Sequence, residues 1–181
     1  MCVINENLDT RHRVFISYHH EKDEYYKKKF EENFGDLFIN ESVQDGDYNP
    51  DLSDEYIKHL IANNNISLST VVVVLIGAET EKRKHIDWEI YAGLSERNKC
   101  RAGLIGVILP TFNKDENKIP DRLQDNIDTK YARLYTWEYI NSINLNNEYM
   151  IKDLIELAYE RKNDYDIPSN NSRLQMERNR G

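Results

Sequence analysis

Short bursts of apolar residues alternate along this chain with stretches in which apolar residues recur every three or four positions. The first burst, RVFISY at 13–18, is β-branched and aromatic and predicts a buried strand. Over 19–34, Tyr26, Phe30 and Phe34 are spaced by four, which makes one helical face apolar, and Gly35 offers a left-handed stop. LFINESV at 37–43 predicts a second strand, and QDGDYNPD at 44–51 is rich in turn formers. Ser53 then caps a helix with Asp54 and Glu55 in its first turn and Ile57, Leu60 and Ile61 as its buried stripe. STVVVVLIG at 69–77 is apolar without alternation, so both faces of that strand are covered. Ile86, Ile90 and Leu94 mark a helix over 84–97, and LIGVIL at 104–109 is a second doubly buried strand, stopped by Pro110. Residues 111–128 form a polar excursion with a helical turn after Pro120, and 132–137 predict a fifth strand. Asn147 caps a last helix whose stripe is Ile151, Leu154, Ile155 and Ala158.

Strands that alternate with helices in this way build a parallel sheet covered on both faces, since parallel neighbours need right-handed crossovers. Five strands predict the α/β flavodoxin-like order 2-1-3-4-5, whose ligands lie beyond the carboxyl ends of the strands near the switch between strands 1 and 3. The domain is expected over 12–163, after a flexible N-terminus at 1–11. Residues 164–181 carry no periodic stripe and read as a polar, solvated and dispensable C-terminal tail.

Composition narrows the function classes. The chain has 181 residues, enough for one domain, and its net charge of −8 argues against a nucleic-acid or anionic-membrane partner. Twelve Tyr, five Phe and two Trp supply a core despite a hydrophobic fraction of only 39%. Two cysteines imply no disulfide framework, which fits a reducing cytoplasm, and no apolar run is long enough for a membrane helix.

The loops at the strand ends exclude more than they assign. Ser17-Tyr18-His19-His20 follows the first strand where a phosphate-binding fold would place glycines, and neither GxxxxGK[ST] nor GxGxxG occurs. Asp45, Asp47, Asn49 and Asp51 alternate like calcium ligands, but Pro50 and Tyr56 stand where such a loop needs Gly and Glu, so no metal is expected. His19, His20 and His85 have no Cys nearby, which argues equally against zinc. The helix after the third strand is the most informative. With ~100° per residue, Glu89 falls about 60° from Ile86, at the edge of the buried stripe, where a carboxylate is half desolvated. It is either a site residue or a flanking Glu paired with Lys or His85. Trp88, about 160° from Ile86, faces away from the stripe. It either meets a second subunit or lies flat on its own domain.

RVFISYHHEKDEYYKKKF, the DGD loop before a capped helix, STVVVVLIG and HIDWEIYAGL, in this order and at these separations, resemble bacterial TIR-like domains. The closest resemblance is to the TIR component of the Thoeris antiphage system, and it spans about residues 11–163. It implies the flavodoxin-like fold already derived and cleavage of NAD as substrate, with no cofactor. The product it implies is a cyclic ADP-ribose isomer, a second messenger made on phage infection that switches on a partner effector. It further implies that Glu89 is catalytic and that Phe15, Ser17, Tyr18 and Asp45 bind substrate. One carboxylate can suffice for such a reaction, because nicotinamide leaves as a neutral base and needs no general acid, unlike the leaving group of ordinary glycosidases. Two other functions remain open at this point, a non-catalytic TIR scaffold that only binds partners and a nucleoside or sugar transferase on the same topology.

Overall fold

The computed structural model describes residues 11–42, 53–63, 65–96, 101–142 and 147–181. Five parallel strands form one sheet in the order β2-β1-β3-β4-β5, with β1 at Arg13–Ser17, β2 at Ile39–Asn40, β3 at Val71–Ile76, β4 at Gly103–Ile108 and β5 at Ala132–Thr136. This is the expected flavodoxin-like α/β arrangement. β3 is buried at every position, which is why its sequence shows no alternation.

One face of the sheet is covered by α1 (His20–Phe34) and α7 (Asn147–Asn163), whose Phe30, Phe34, Ile151 and Ile155 pack on Ile16, Val73 and Ile105. The other face is covered by α2 (Asp54–Asn63), α3 (Asn65–Leu68), α4 (Lys84–Leu94) and α5 (Asp121–Asp128), with Ile57, Ile86, Ile90 and Leu123 packing on Phe15, Val72 and Leu104. A short α6 (Trp137–Ile140) follows β5. α7 crosses β4 so closely that a Cβ on Gly103 would stand 2.3 Å from the Ala158 carbonyl oxygen. The Ser53 cap forms as expected, its hydroxyl accepting from the Tyr56 amide at 3.3 Å.

Several local expectations change. Gly35 is right-handed, with φ −59°, and opens a 3-10 turn at Gly35–Leu37 instead of a left-handed stop. That turn consumes the start of the expected second strand and leaves β2 two residues long. The single turn expected after Pro120 is the eight-residue α5, whose buried Leu123 closes the second layer. α4 ends at Leu94 instead of 97.

The tail is the largest correction. Much of it is exposed, Leu174 by 90%, yet residues 169–180 form a strap hydrogen-bonded along α4 and α5. Arg122, only 1% exposed, donates to Asp87 at 2.8 Å and to Asn171 and the Leu174 carbonyl of the strap at 2.9 and 3.2 Å. Asn126 and Asn170 exchange two hydrogen bonds, and Arg173 grips Asp125 through two more at 2.8 Å. Sequence patterning misses this because the contacts are polar and pair residues far apart in the chain. Removal of residues 169–181 is therefore expected to lower Tm. Several buried donors lose their partners at ~1–3 kcal/mol each, so a thermal melt should move down by about 5 °C or more. An unchanged melt would mean that the strap contributes nothing to stability.

Candidate active site

β1 delivers Ser17 to the carboxyl edge of the sheet, paired with Val74 of β3. α4 runs back over the same face, held by Ile86, Ile90 and Leu94 in the core. This brings together Ser17 and Glu89, which stand 72 residues apart in the chain. The Ser17 hydroxyl donates to Glu89 Oε2 at 2.5 Å. Ser17 is fully buried and Glu89 is 2% exposed, so the carboxylate lies deeper than the half-desolvated stripe edge the helical wheel predicts. Burial pushes the Glu89 carboxyl up to about 8, and the Ser17 hydrogen bond lowers it only in part. The pairing with His85 or a Lys is not seen; Lys84 instead donates to Asp54 at 2.6 Å.

The remaining expected site residues are placed differently. Phe15 lies two positions before Ser17 on the same sheet face, 1% exposed among the residues of the α2–α4 layer. Tyr18 belongs to the opposite layer with Phe30 and Phe34, its ring 4.4 Å from that of His20. Asp45 lies outside the described residues. Trp88 does not face solvent: it is 1% exposed and its indole donates to the Met176 carbonyl of the strap at 2.7 Å. Lys58 and Lys84 ammonium groups stand 4.7 and 5.0 Å from its ring. Of the two readings of Trp88, the structure has the ring packed within its own chain.

A second buried carboxylate, which sequence reasoning missed, lies at the same end of the sheet. Asp23, in the first turn of α1, has no exposure and accepts from Thr80 Oγ1 at 3.3 Å. Thr80 in turn accepts from the Gly77 amide at 2.7 Å. Gly77 is required here, since a Cβ would fall 2.2 Å from Asp23 Oδ1. Burial pushes the Asp23 carboxyl up to about 6. His19, 5% exposed, faces Glu79 at 3.7 Å and is held below its usual value by burial and by Arg83. One of 32 acidic residues in a first helical turn carries no sequence signal that separates it from a solvated one.

Two surface concavities, of about 120 and 280 Å³, flank α4 and the strap, and Glu89 lines neither. Among the described residues no group of three or more His, Cys, Asp or Glu is placed to hold a metal ion, and no helix is long and apolar enough to cross a membrane.

The family model described as "Thoeris protein ThsB, TIR-like domain" matches residues 15–115, more than half of the chain. The matched region runs from β1 through β4 and includes Ser17, Asp23 and Glu89. No curated protein matches the chain.

Proposed function

We infer that this chain, which belongs to the Thoeris ThsB TIR-like family, is a defence module that cleaves NAD and makes a cyclic ADP-ribose isomer from it. The observation that carries this reading is the Ser17–Glu89 pair, one carboxylate at the strand-1/strand-3 switch point where this fold binds ligands.

Burial holds the Glu89 carboxyl toward its neutral form in the free chain, and among the described residues no cation offsets that burial. The nicotinamide ribosyl group of NAD is cationic. Its arrival favours the ionised form, so Glu89 gains its charge as substrate binds. The C–N bond then breaks with its electron pair going to nicotinamide, which leaves neutral. Positive charge develops on the ribose carbon and ring oxygen, and the Glu89 carboxylate stabilises it. Capture by water gives ADP-ribose, and capture by a nucleophile of the same molecule gives a cyclic isomer. A site closed to water favours the second. The product would reach an effector protein by diffusion, and the chain would self-associate on activation.

Incubation of the protein with NAD, alone and in extracts of phage-infected cells, followed by mass and chromatographic identification of the product, tests this reading. Turnover to nicotinamide plus a cyclic isomer supports it. The complete burial of Glu89 favours a second reading, a non-catalytic module that acts by binding partners. Intact NAD under every condition would decide for that one.

Ser17→Ala gives a directional check. The hydroxyl lowers the Glu89 carboxyl, so its removal raises it further. If the ionised form does the work, activity rises with pH through that value, and the kcat/KM profile of the variant should move to higher pH. A shift to lower pH would contradict the assignment.

A further inference from the structure

The strap grips the outer side of α4 at three heights that bracket Glu89. At the helix start, Asn179 Oδ1 accepts from the Lys84 amide at 2.9 Å, and the Arg180 amide donates to the Lys82 carbonyl at 2.9 Å. In the middle, the Met176 peptide is held at both ends. Its N–H donates to Asp87 Oδ2 at 2.8 Å, and its carbonyl accepts from Trp88 Nε1 at 2.7 Å. Further along, Asn171 Nδ2 donates to the Tyr91 carbonyl at 3.1 Å. Asp87 and Trp88 are the two residues that precede Glu89.

The inner side of α4 is held differently. Ile86, Ile90 and Leu94 meet the sheet through apolar contacts, which are non-directional and tolerate small slides along the helix axis. Hydrogen bonds do not tolerate them, because they weaken steeply with misalignment. Directional contacts reach α4 from α2 through Asp54, from α5 through Arg122 and from the Ala102 amide to the Gly93 carbonyl at 2.7 Å, and the strap adds its own at all three heights. Glu89 touches the sheet through one short hydrogen bond to Ser17, so its position follows the helix.

We propose that the C-terminal strap, through Asn171, Met176 and Asn179, is a positioning element that sets the height of α4 and so places the Glu89 carboxylate against Ser17. The proposal rests on Glu89 being the working carboxylate, as inferred above. The strap lies outside the region that the family model matches, so this device belongs to this chain's own C-terminal segment.

The test uses the full-length chain with Asn171→Ala and Arg173→Ala combined, which loosens the strap without substituting any residue of α4 or α5. Arg178→Ala is the control, since that side chain is exposed and removes a like charge from the same segment. Three quantities are read: amide hydrogen exchange at Met176, steady-state NAD turnover, and the titration of Glu89 by carboxyl NMR, assigned with Glu89→Gln. In the double variant, Met176 exchange should quicken and kcat should fall about tenfold or more with KM within about twofold, as expected when a reacting group is displaced by a fraction of an ångström. The Glu89 midpoint should shift as well, while Arg178→Ala leaves all three unchanged. Faster exchange with kcat and midpoint unchanged overturns the proposal. So does a rise in kcat, which would make the strap a lock, and so does unchanged exchange, which would show that these contacts do not hold it. If even the wild-type chain leaves NAD intact, the functional reading fails, and the Glu89 midpoint alone decides whether the strap positions α4.

Discussion

Glu89→Gln is expected to remove NAD cleavage, by ~10²–10³ or more in kcat, while the protein stays folded. Gln keeps the length and nearly the volume of Glu, so the packing beside Ile86 and Ile90 survives. It can still accept the hydrogen bond from Ser17, and it loses only the ability to carry charge where the ribosyl cation forms. Stability should respond in the opposite sense to activity. The Glu89 carboxyl is raised from 4.5 in the unfolded chain to about 8 in the fold. Between those values the unfolded chain has lost the proton and the folded chain keeps it. This group therefore makes the wild type progressively less stable as pH rises from 4.5 to 8, by up to ~1.4 kcal/mol per pH unit. The Gln variant lacks that dependence. Its melting temperature should exceed the wild-type value by a margin that grows from pH 5 to pH 8. Glu96→Gln is the control, since that carboxylate is largely exposed and faces Arg101 only at 4.0 Å. Wild-type turnover in Glu89→Gln would mean that the carboxylate does not do the chemistry. An unfolded variant would mean that it holds the fold.

Arg122→Ala should cost about 3–5 kcal/mol of stability, the loss expected when one partner of a buried ion pair is removed. Arg122 is 1% exposed and its partner Asp87 only 6%. The guanidinium donates to Asp87, Asn171 and the Leu174 carbonyl, and lies 5.0 Å from the Tyr91 ring. Truncation leaves Asp87 buried with the Met176 amide as its remaining donor and frees the strap at two points. In a domain of this size that should lower Tm by roughly 10 °C. Arg122→Met with Asp87→Leu should lose less than Arg122→Ala alone, because no buried charge is left without a partner. A melt of Arg122→Ala within about 2 °C of the wild type would show that the pair is solvated in solution.

The two outcomes bear on different parts of the molecule. Glu89 concerns the inner face of α4, where the sheet is met, and Arg122 concerns the outer face, where the strap is met. Loss of activity without loss of stability in the first, beside a large loss of stability in the second, would separate chemistry from scaffold.

The elements and their buried faces were legible in the sequence because they follow from local periodicity, and the sheet order followed from their alternation and the rules for parallel crossovers. VVVVLI shows no alternation since both of its faces are buried. Tyr26, Phe30 and Phe34 recur at four since α1 buries one face. The helix that carries Glu89, and the end of the sheet it overlies, came from the same pattern. Periodicity reports which side of an element is apolar, and burial of that side is most of what specifies a fold of this class.

Only the tertiary structure decided how deep Glu89 lies, what Trp88 faces and where the tail goes. The helical wheel places Glu89 at a stripe edge and Trp88 on the far side, and both angles are correct. Neither angle says what arrives from elsewhere to cover the residue. Trp88 is covered by Met176, 88 residues away, and Arg122 is tied to Asn171, 49 residues away. Asp23 is enclosed because Gly77, on another strand end, has no Cβ. Such contacts are polar or steric, involve single residues, and form only after the elements meet, so they leave no period in the chain. Apolar pattern determined the architecture, while the environment of each charged group was decided by which distant segments that architecture brings into hydrogen-bonding distance.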